Sequence, residues 1–329
     1  MIRIGVIGAG GIANVHLRYL STVEDVEIAA LCDVDASRLE LMTSRYGGQA
    51  YADFREMLNV EHLDGVYLCT PPEVRREPLL ACAESDVAVM CEKPVARSVP
   101  DALEVNEQLL ARGARVQVGY PFRSMATVRR LADEISDDRI HTVQSSYLCN
   151  VSLTMGLPLW FYDHSRSGGG LVDQATHNLD LLRYLVGEVD AVTGFAANPH
   201  REKEPGYTID EVISLSLKFP NGIVGGHVHS WIGHTWQNTI HLGGEKAYYT
   251  LLLSRGQLVI VRPNETVTFE QRADTLWDFE NAVFLEKLRS GDWTDGPSTY
   301  ADAIKTLELT LRCNEAIAVE RRIQSGDKR

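Results

Sequence analysis

The chain is predicted to be α/β followed by α+β: a doubly wound parallel sheet, then a domain with a large, mostly antiparallel open sheet. Three observations predict it. Short apolar runs alternate with amphipathic helical stretches up to residue 120. Beyond that point the apolar spacing changes to a period of two over successive runs. The full length of 329 residues suits two domains, which sets the expected division at 1–120 and 121–329.

In the first part Arg3–Gly8 reads as a short buried strand and Ile12–Val23 as the amphipathic helix behind it. Glu27–Cys32 is the second strand, Ala36–Tyr46 a helix by its period, and Gly65–Cys69 a third strand stopped by Thr70-Pro71-Pro72. A helix over Glu77–Glu84 leads to the strand Val87–Cys91. Ser98 supplies a side-chain cap for a helix over 100–112, Gly113 stops it, and Arg115–Gly119 is the next strand. Strands alternating with helices at this spacing require crossover connections, and those give parallel pairing.

Past residue 120, helices are expected at Met125–Ile135 and from Leu171 onward, behind three glycines. Period-two runs occupy Ile209–Phe219, Ile223–Ile232, Thr239–Leu242, Ala247–Leu253, Gln257–Val261 and Thr266–Gln271, with Pro220-Asn221-Gly222 marking a hairpin between the first two. Helices over 277–289 and 300–321 end the chain. An antiparallel sheet can leave one face open for a substrate or a second subunit. Trp231, Trp236, Tyr248 and Tyr249 are candidates for that face, the alternative being that they pack beneath the chain's own helices.

Composition excludes other classes. The net charge is −13 and no basic block occurs, so nucleic acid is not an expected partner, because phosphate binding needs a basic surface. Six cysteines without a CxxC pair or regular spacing read as reduced thiols of a cytoplasmic protein, not as a disulfide framework. No apolar run reaches the roughly 20 residues that span a bilayer, so no membrane association is expected. Ile4–Ala13 is apolar behind Arg3, but four glycines interrupt it, which favours a strand and turn over a signal segment.

Gly8-Ala9-Gly10-Gly11-Ile12-Ala13 lies between the first strand and the first helix, a G-x-G-x-x-A pattern. Gly8 permits the tight turn, Gly10 lets a pyrophosphate approach the backbone, and Ala13 lets the helix pack on the strand. The helix N-terminus offers its unpaired N–H groups to the phosphates. Asp33 ends the second strand, 20 residues beyond Ala13, where a carboxylate accepts from the adenosine ribose hydroxyls. A carboxylate there repels a 2′-phosphate, so NAD is favoured over NADP in this Rossmann-type unit. Arg38 is close by and either softens that preference or is an exposed helix arginine. The cofactor-binding residues are expected to be Gly8, Ala9, Gly10, Gly11, Ile12, Asp33 and Arg38. Thr70, Pro71, Glu92 and Lys93 join them from the ends of later strands.

Two further clusters carry chemistry. Cys91-Glu92-Lys93-Pro94 ends a strand on the carboxyl edge of the sheet, where ligands of such sheets bind. Gly168-Gly169-Gly170 leads into Asp173 and His177, four apart and so on one face of a helix. Singly, each has a bland explanation: a first-turn acid facing the helix dipole, a satisfied histidine, a solvated lysine. His227 and His229 alternate along one strand and share a face, but without nearby Cys or clustered acids no metal is expected.

Together, Gly8–Ala13, His16, Thr70-Pro71, Glu92-Lys93-Pro94 and the Gly168–His177 run resemble the glucose–fructose oxidoreductase / inositol dehydrogenase / MocA family, over nearly the whole chain. The resemblance implies that Lys93, Asp173 and His177 form the catalytic set of an NAD(P)-linked enzyme. Its implied substrate is a sugar, cyclitol or related alcohol, and its implied assembly a homodimer or homotetramer built on the open sheet. In that scheme His177 is the general acid/base. Lys93 hydrogen-bonds the alcohol oxygen and stabilises developing alkoxide, while Asp173 orients or shares charge with the pair. Substrate contacts are expected from Tyr120, Arg123, Tyr147, Asn150, Trp160, His164, His177 and His234, with Trp160 either stacking on a sugar ring or lying in the core.

The chain departs from the family pattern at Arg75, where a His is frequent, and at Ala175, where Asp-x-Gly-x-His is the commoner form. The family's His at the first is read as positional, so its absence is not expected to remove activity, and the second is read as helix-favouring. Two other readings stay open. One is an enzyme that retains NAD and oxidises a glycoside transiently so that elimination cleaves it. The other is a non-catalytic nucleotide sensor, against which the intact Lys93, Asp173 and His177 argue.

Overall fold

The computed structural model describes residues 1–150, 159–200, 205–272, 276–294, 296 and 298–325. In chain order the first elements are β1 (Ile2–Ile7), α1 (Gly11–Leu20), β2 (Val26–Cys32), α2 (Ala36–Tyr46), β3 (Gln49–Tyr51), α3 (Phe54–Val60), β4 (Gly65–Leu68), α4 (Arg76–Glu84), β5 (Ala88–Cys91), α5 (Val99–Ala111) and β6 (Val116–Val118). They are followed by α6 (Ala126–Ile135), β7 (Ile140–Asn150), α7 (His164–Ser167), α8 (Thr176–Val186), β8 (Ala191–Ala197), β9 (Val212–Lys218), β10 (Val224–Ser230) and β11 (Ile232–Gly244). The chain ends with β12 (Tyr248–Leu252), β13 (Gln257–Arg262), β14 (Glu265–Glu270), α9 (Leu276–Ser290) and α10 (Tyr300–Ser325). Two units result: Met1–Ser124 with Thr275–Lys305, and Met125–Asp274 with Thr306–Arg329.

The first unit is built on a parallel sheet in the order β3-β2-β1-β4-β5-β6. The order reverses between β1 and β4, the switch point at which ligands of doubly wound sheets bind. Helices cover both faces of such a sheet, so its central strands are apolar without alternation. Ile4, Val6, Val66, Tyr67 and Leu68 are accordingly all fully buried. The cap expected at Ser98 is present, with the hydroxyl accepting from the Asp101 N–H at 3.3 Å. β3 and α3 have no counterpart among the elements expected from the sequence. Two of the three β3 residues are exposed on this edge strand, so no apolar run marks it. The helix start was signalled only by Asp53, which accepts from the Arg55 N–H at 2.8 Å.

A contiguous division at residue 120 leaves α9 with the second domain, but its side chains pack in the first. Phe284 and Leu285 lie in one cluster with Ile4, Leu17, Tyr67 and Met90. Tyr67 and Phe284 meet edge to face at 5.3 Å. The apolar stripe of α9 shows that it covers a core, but not which core, since period says nothing of the partner.

The second unit carries eight strands in the order β14-β13-β12-β11-β7-β10-β9-β8. Neighbours are antiparallel except β7 and β10, which run parallel. Pro220-Asn221-Gly222 makes the expected turn between β9 and β10, with Gly222 at φ +86°. One face of the sheet is apolar and buried, through residues such as Leu215, Leu217, Ile240, Leu251 and Ile260, while Ser214, Ser216, Lys218, Gln144 and His241 look outward. The tryptophan and tyrosine candidates divide: Trp231 and Tyr249 are buried, whereas Trp236 and Tyr248 are exposed.

Strands β7 and β8 were not foreseen. The inward positions of β7 are Val143, Ser145, Tyr147 and Cys149, and the serine breaks the apolar alternation. Its hydroxyl is satisfied inside, receiving the Asn178 side-chain N–H at 2.8 Å and lying 3.0 Å from His227 Nδ1. Among the described residues, no helix is long and apolar enough to cross a membrane.

Because α9 completes the core of the first unit, Phe284→Ala is expected to destabilise the protein by about 3–5 kcal/mol. The check is the denaturant midpoint followed by Trp293, whose ring meets Phe284 at 5.9 Å.

Candidate active site

Strand β1 turns at Gly8, whose φ is +96°. A Cβ on Gly8 would meet the Cys69 carbonyl carbon at 2.9 Å, so the turn exists only where no side chain separates the ends of β1 and β4. At Gly10 and Gly11 a Cβ would meet nothing within 4 Å. Helix α1 therefore starts under open space. It also starts with no side-chain cap and no acidic residue in its first turn, leaving N–H groups and the positive dipole end available. Ala9 and Ala13 are buried and Ile12 is half-buried. Asp33 Oδ2 accepts from the Ala9 N–H at 2.6 Å, and Oδ1 accepts from the Asp35 N–H at 2.8 Å. An ionised carboxylate has about four acceptor sites, so two remain for other donors. Arg38 is exposed, with Nε 3.3 Å from Asp35. These residues fit a dinucleotide: an uncapped helix end for pyrophosphate, space above it and a carboxylate at the end of β2.

The ends of β4 and β5 are held by a residue whose role the sequence left open. Arg75 is buried, and its guanidinium donates to the main-chain carbonyls of Thr70, Glu92 and Pro94. Pro71 is exposed beside it and Thr70 half-buried. Glu92 was expected to face the cofactor, but its carboxylate turns into the unit. It lies 3.0 Å from His16 Nε2 and accepts the Lys93 N–H at 3.2 Å. Burial pushes the Glu92 carboxyl up, but the His16 hydrogen bond and the charges of His16, Lys93 and Arg75 together hold it below the usual range. His16 Nδ1 lies 2.8 Å from Asn281 Oδ1. Glu280, also buried, is driven well above the ordinary carboxylate value by burial first and the Glu92 charge second. Sequence reasoning missed Glu280 and Asn281, because an acid and an amide on a helix carry no motif.

Tyr120 and Arg123 are interior residues of the first unit, and Arg123 pairs with Asp302 at 2.7 Å. Lys93 is half-buried in the same unit; Asp173 and His177 belong to the second.

In the second unit Gly168 and Gly169 take φ values of +78° and +75°, and a Cβ on Gly170 would collide with the His229 imidazole. Three glycines in a row thus have three local reasons. Residues Leu171–Ala175 then wind as a π-turn and α8 continues from Thr176, so one uniform helix from Leu171 is replaced by two windings. Such turns cluster at functional sites. Asp173 and His177 are both half-buried here. Burial raises the Tyr147 hydroxyl, with Cys149 and Asp173 adding to it, which places the Asp173 charge near β7. The Cys149 thiol is pushed up to about 12 by burial and then by Asp173. His227 and His229 are buried side by side at 6.5 Å between ring centroids, and burial pushes each down to about 3. Both are neutral near pH 7.

The remaining substrate candidates separate. Trp160 is half-buried and begins an aromatic chain: Phe161 at 5.2 Å, then Trp231 at 5.6 Å from Phe161, then His229 at 6.0 Å from Trp231. Asn150 at the end of β7 and His164 at the start of α7 are exposed. His234 is exposed within a register break of β11 between Ile232 and Gln237. The same bulge carries Trp236, which hydrogen-bonds the Tyr147 side chain.

Residues 2–120 match the model described as oxidoreductase family, NAD-binding Rossmann fold, and residues 125–250 match the GFO/IDH/MocA C-terminal domain. The chain belongs to the GFO/IDH/MocA family. It is similar to the myo-inositol 2-dehydrogenase of Thermotoga maritima, with 28% identity over 227 residues, 68% of this chain and 67% of that one. It is also similar to inositol 2-dehydrogenase 3 of Saccharopolyspora erythraea, with 31% identity over 202 residues, 61% of this chain. That match spans 58% of the relative's own length. Among solved structures, a levoglucosan dehydrogenase in complex with NADH and levoglucosan superposes with a TM-score of 0.84 at 20% identity, covering 97% of this chain and 98% of that one. That likeness is one of fold.

Arg75 satisfies three carbonyls at once, so Arg75→Met is expected to cost about 3 kcal/mol or more, each buried or part-buried carbonyl losing a charge-assisted partner. Arg75→Lys recovers little of it, since an ammonium lacks the planar fork. Urea denaturation of the three proteins checks the order.

Proposed function

We propose that this family member is an NAD-linked dehydrogenase or reductase that moves hydride between nicotinamide and a secondary alcohol or ketone of a sugar, inositol or sugar derivative. The observation that carries the reading is the open, uncapped start of α1 with the Asp33 carboxylate tied to Ala9 beside it. A dinucleotide held there by its pyrophosphate and adenosine ribose would supply, at its nicotinamide end, the hydride acceptor or donor. His177 takes the hydroxyl proton as hydride leaves carbon and returns it in reduction. Lys93, as an ammonium, hydrogen-bonds the alcohol oxygen and stabilises the alkoxide as it forms. Asp173 orients this pair through its charge. Trp160 offers an aromatic face to a sugar ring. The ring polyols named for the two inositol dehydrogenases and for the levoglucosan enzyme support a cyclic, many-hydroxyl substrate.

Asp33 favours NAD over NADP, because a 2′-phosphate would meet its charge and Arg38 already faces Asp35. The outward face of the eight-stranded sheet, with a depression of about 910 Å³ lined by short side chains such as Ser146, Ser214, Ser216 and Thr239, serves a homodimer or homotetramer. The protein works in the cytoplasm, where its six free thiols stay reduced.

Fluorescence titration with NADH and NADPH tests the first step: tight NADH and weak NADPH binding are expected. If neither nucleotide binds protein freed of copurified nucleotide, the reading falls. Asp33→Ser should weaken NADH about tenfold or more and narrow the gap to NADPH, as one charge-assisted contact is lost and one repulsion removed. Lys93→Met and His177→Ala should each abolish turnover on a panel of cyclitols, aldoses and glycosides while NADH still binds. Normal turnover in both variants would refute the roles given to them, and aglycone release without net NADH would mark a redox-neutral glycosidase instead.

A further inference from the structure

Behind the Glu92-Lys93 turn, within the first unit, two carboxyl groups and an imidazole share one dry pocket. Ligand atoms of His16, Glu92 and Glu280 all lie within 4.8 Å of one another, and none of the three residues is more than 7% exposed. The partners are unevenly distributed. Glu92 accepts on both oxygens, from the His16 side and from the Lys93 N–H. Both Glu280 oxygens are buried with no hydrogen-bond partner, as are the Tyr67 hydroxyl and the Asn281 amide nitrogen.

Proton accounting follows from the contacts. Asn281 Oδ1 can only accept, so His16 Nδ1 carries the hydrogen of that 2.8 Å contact. A second proton lies between His16 Nε2 and Glu92 Oε1, 3.0 Å apart, whichever atom holds it. That leaves Glu280. The cations that bear on this pocket, His16 where it holds the shared proton, Arg75 from the segment before α4 and Lys93 after β5, all act on Glu92. The groups around Glu280 are the Glu92 charge, the Tyr67 hydroxyl on β4 and the Cys69 thiol at its end. None of these stabilises a second anion, and two unscreened carboxylates at this separation cannot both stay ionised.

We propose that Glu280 is a carboxylic acid, protonated at neutral pH, that sits against the proton-sharing His16–Glu92 pair without adding charge and so keeps Glu92 free to hold the turn carrying Lys93. Glu280 and His16 are positioning residues in this arrangement. The buried acid can donate its O–H to an acceptor within the pocket, and the cluster as a whole carries no net charge, the cheapest way to bury three titratable groups. Its link to turnover rests on the role proposed for Lys93; its protonation does not, and the test needs neither substrate nor nucleotide.

Infrared spectra of the apo wild-type protein at about pH 7.5 should show the carbonyl stretch of a protonated carboxylic acid, well above the pH at which a free Glu loses its proton. Glu280→Gln, which keeps the shape and a donor, should remove that band. A group with a raised folded-state pKa stabilises fully below its unfolded value and loses that contribution as pH rises. The wild-type unfolding constant should therefore grow relative to that of Glu280→Gln by about tenfold per pH unit above about pH 5. Absence of the band in wild type overturns the proposal, even if no variant folds. So does a stability difference between wild type and Glu280→Gln that stays constant above about pH 5, the mark of a carboxylate ionised in both folded and unfolded states. One equivalent of divalent metal in the purified protein, found by elemental analysis, would also overturn it, because the two carboxylates would then be ligands.

Discussion

Arg75 is 2% exposed, and its guanidinium is directed wholly at the main chain: the carbonyls of Thr70, Glu92 and Pro94. Those carbonyls belong to the segments leaving β4 and β5 at the carboxyl edge, the edge at which doubly wound sheets bind ligands. A strand end in a parallel sheet has no ladder beyond it, so the chain there needs other donors to fix its path. A planar fork with five N–H groups can serve several carbonyls from one point. Placing it inside the protein, with the acceptors arranged around it, turns two loops into one rigid rim. The glycine turn after β1 is held against the same rim, since Gly8 leaves no space between itself and Cys69.

From that rim inward the structure is a sequence of commitments. Asp33 ties the glycine turn to the end of β2. Glu92 ties the turn bearing Lys93 to His16 on α1, and His16 in turn reaches Asn281 on α9. A helix from near the end of the chain thereby supports a turn near residue 93, in the interior where hydrogen bonds are strong and unmade ones costly. In the second unit the logic is steric. Gly170 is bare because His229 occupies the space, and the π-turn that follows sets Asp173 on a segment wound differently from the helix carrying His177.

Much of this was legible in the sequence, for reasons that also explain the gaps. Parallel strands buried on both faces are continuous apolar words, and β1, β2, β4 and β5 were read nearly to the residue. Glycine turns announce themselves because no other residue fits them. By contrast β7, the strand in the middle of the larger sheet, hides behind Ser145, whose polar group is satisfied by Asn178 and His227 from far along the chain. Edge strand β3 is too exposed to have a pattern. The glycine turn after β1 and the carboxylate at the end of β2 were readable from spacing alone. The inward turn of Glu92 and its meeting with Glu280 were not, because contacts 188 positions apart leave no local mark. Arg123, expected among the substrate contacts, lies in the interior and pairs with Asp302, a partner 179 positions along the chain that no local pattern marks.

The parallel pairing of β7 with β10 has a consequence for how the second sheet comes into being. Thr142 on β7 waits for Val224 on β10, and Ile240 on β11 closes the opposite side of Ser145. Central strands of most antiparallel sheets zip up with the next strand in sequence; this one cannot. Both of its edges stand open until β10, which begins at Val224, is available, 74 residues beyond the end of β7 at Asn150, and the loop that must close around it is long. High contact order of this kind slows folding and lengthens the interval in which bare strand edges can meet another chain. The serines and glutamine along β7, a nuisance to pattern reading, make it a poor template for such encounters, so the feature that obscures the strand in the sequence also protects it on the way to the native state.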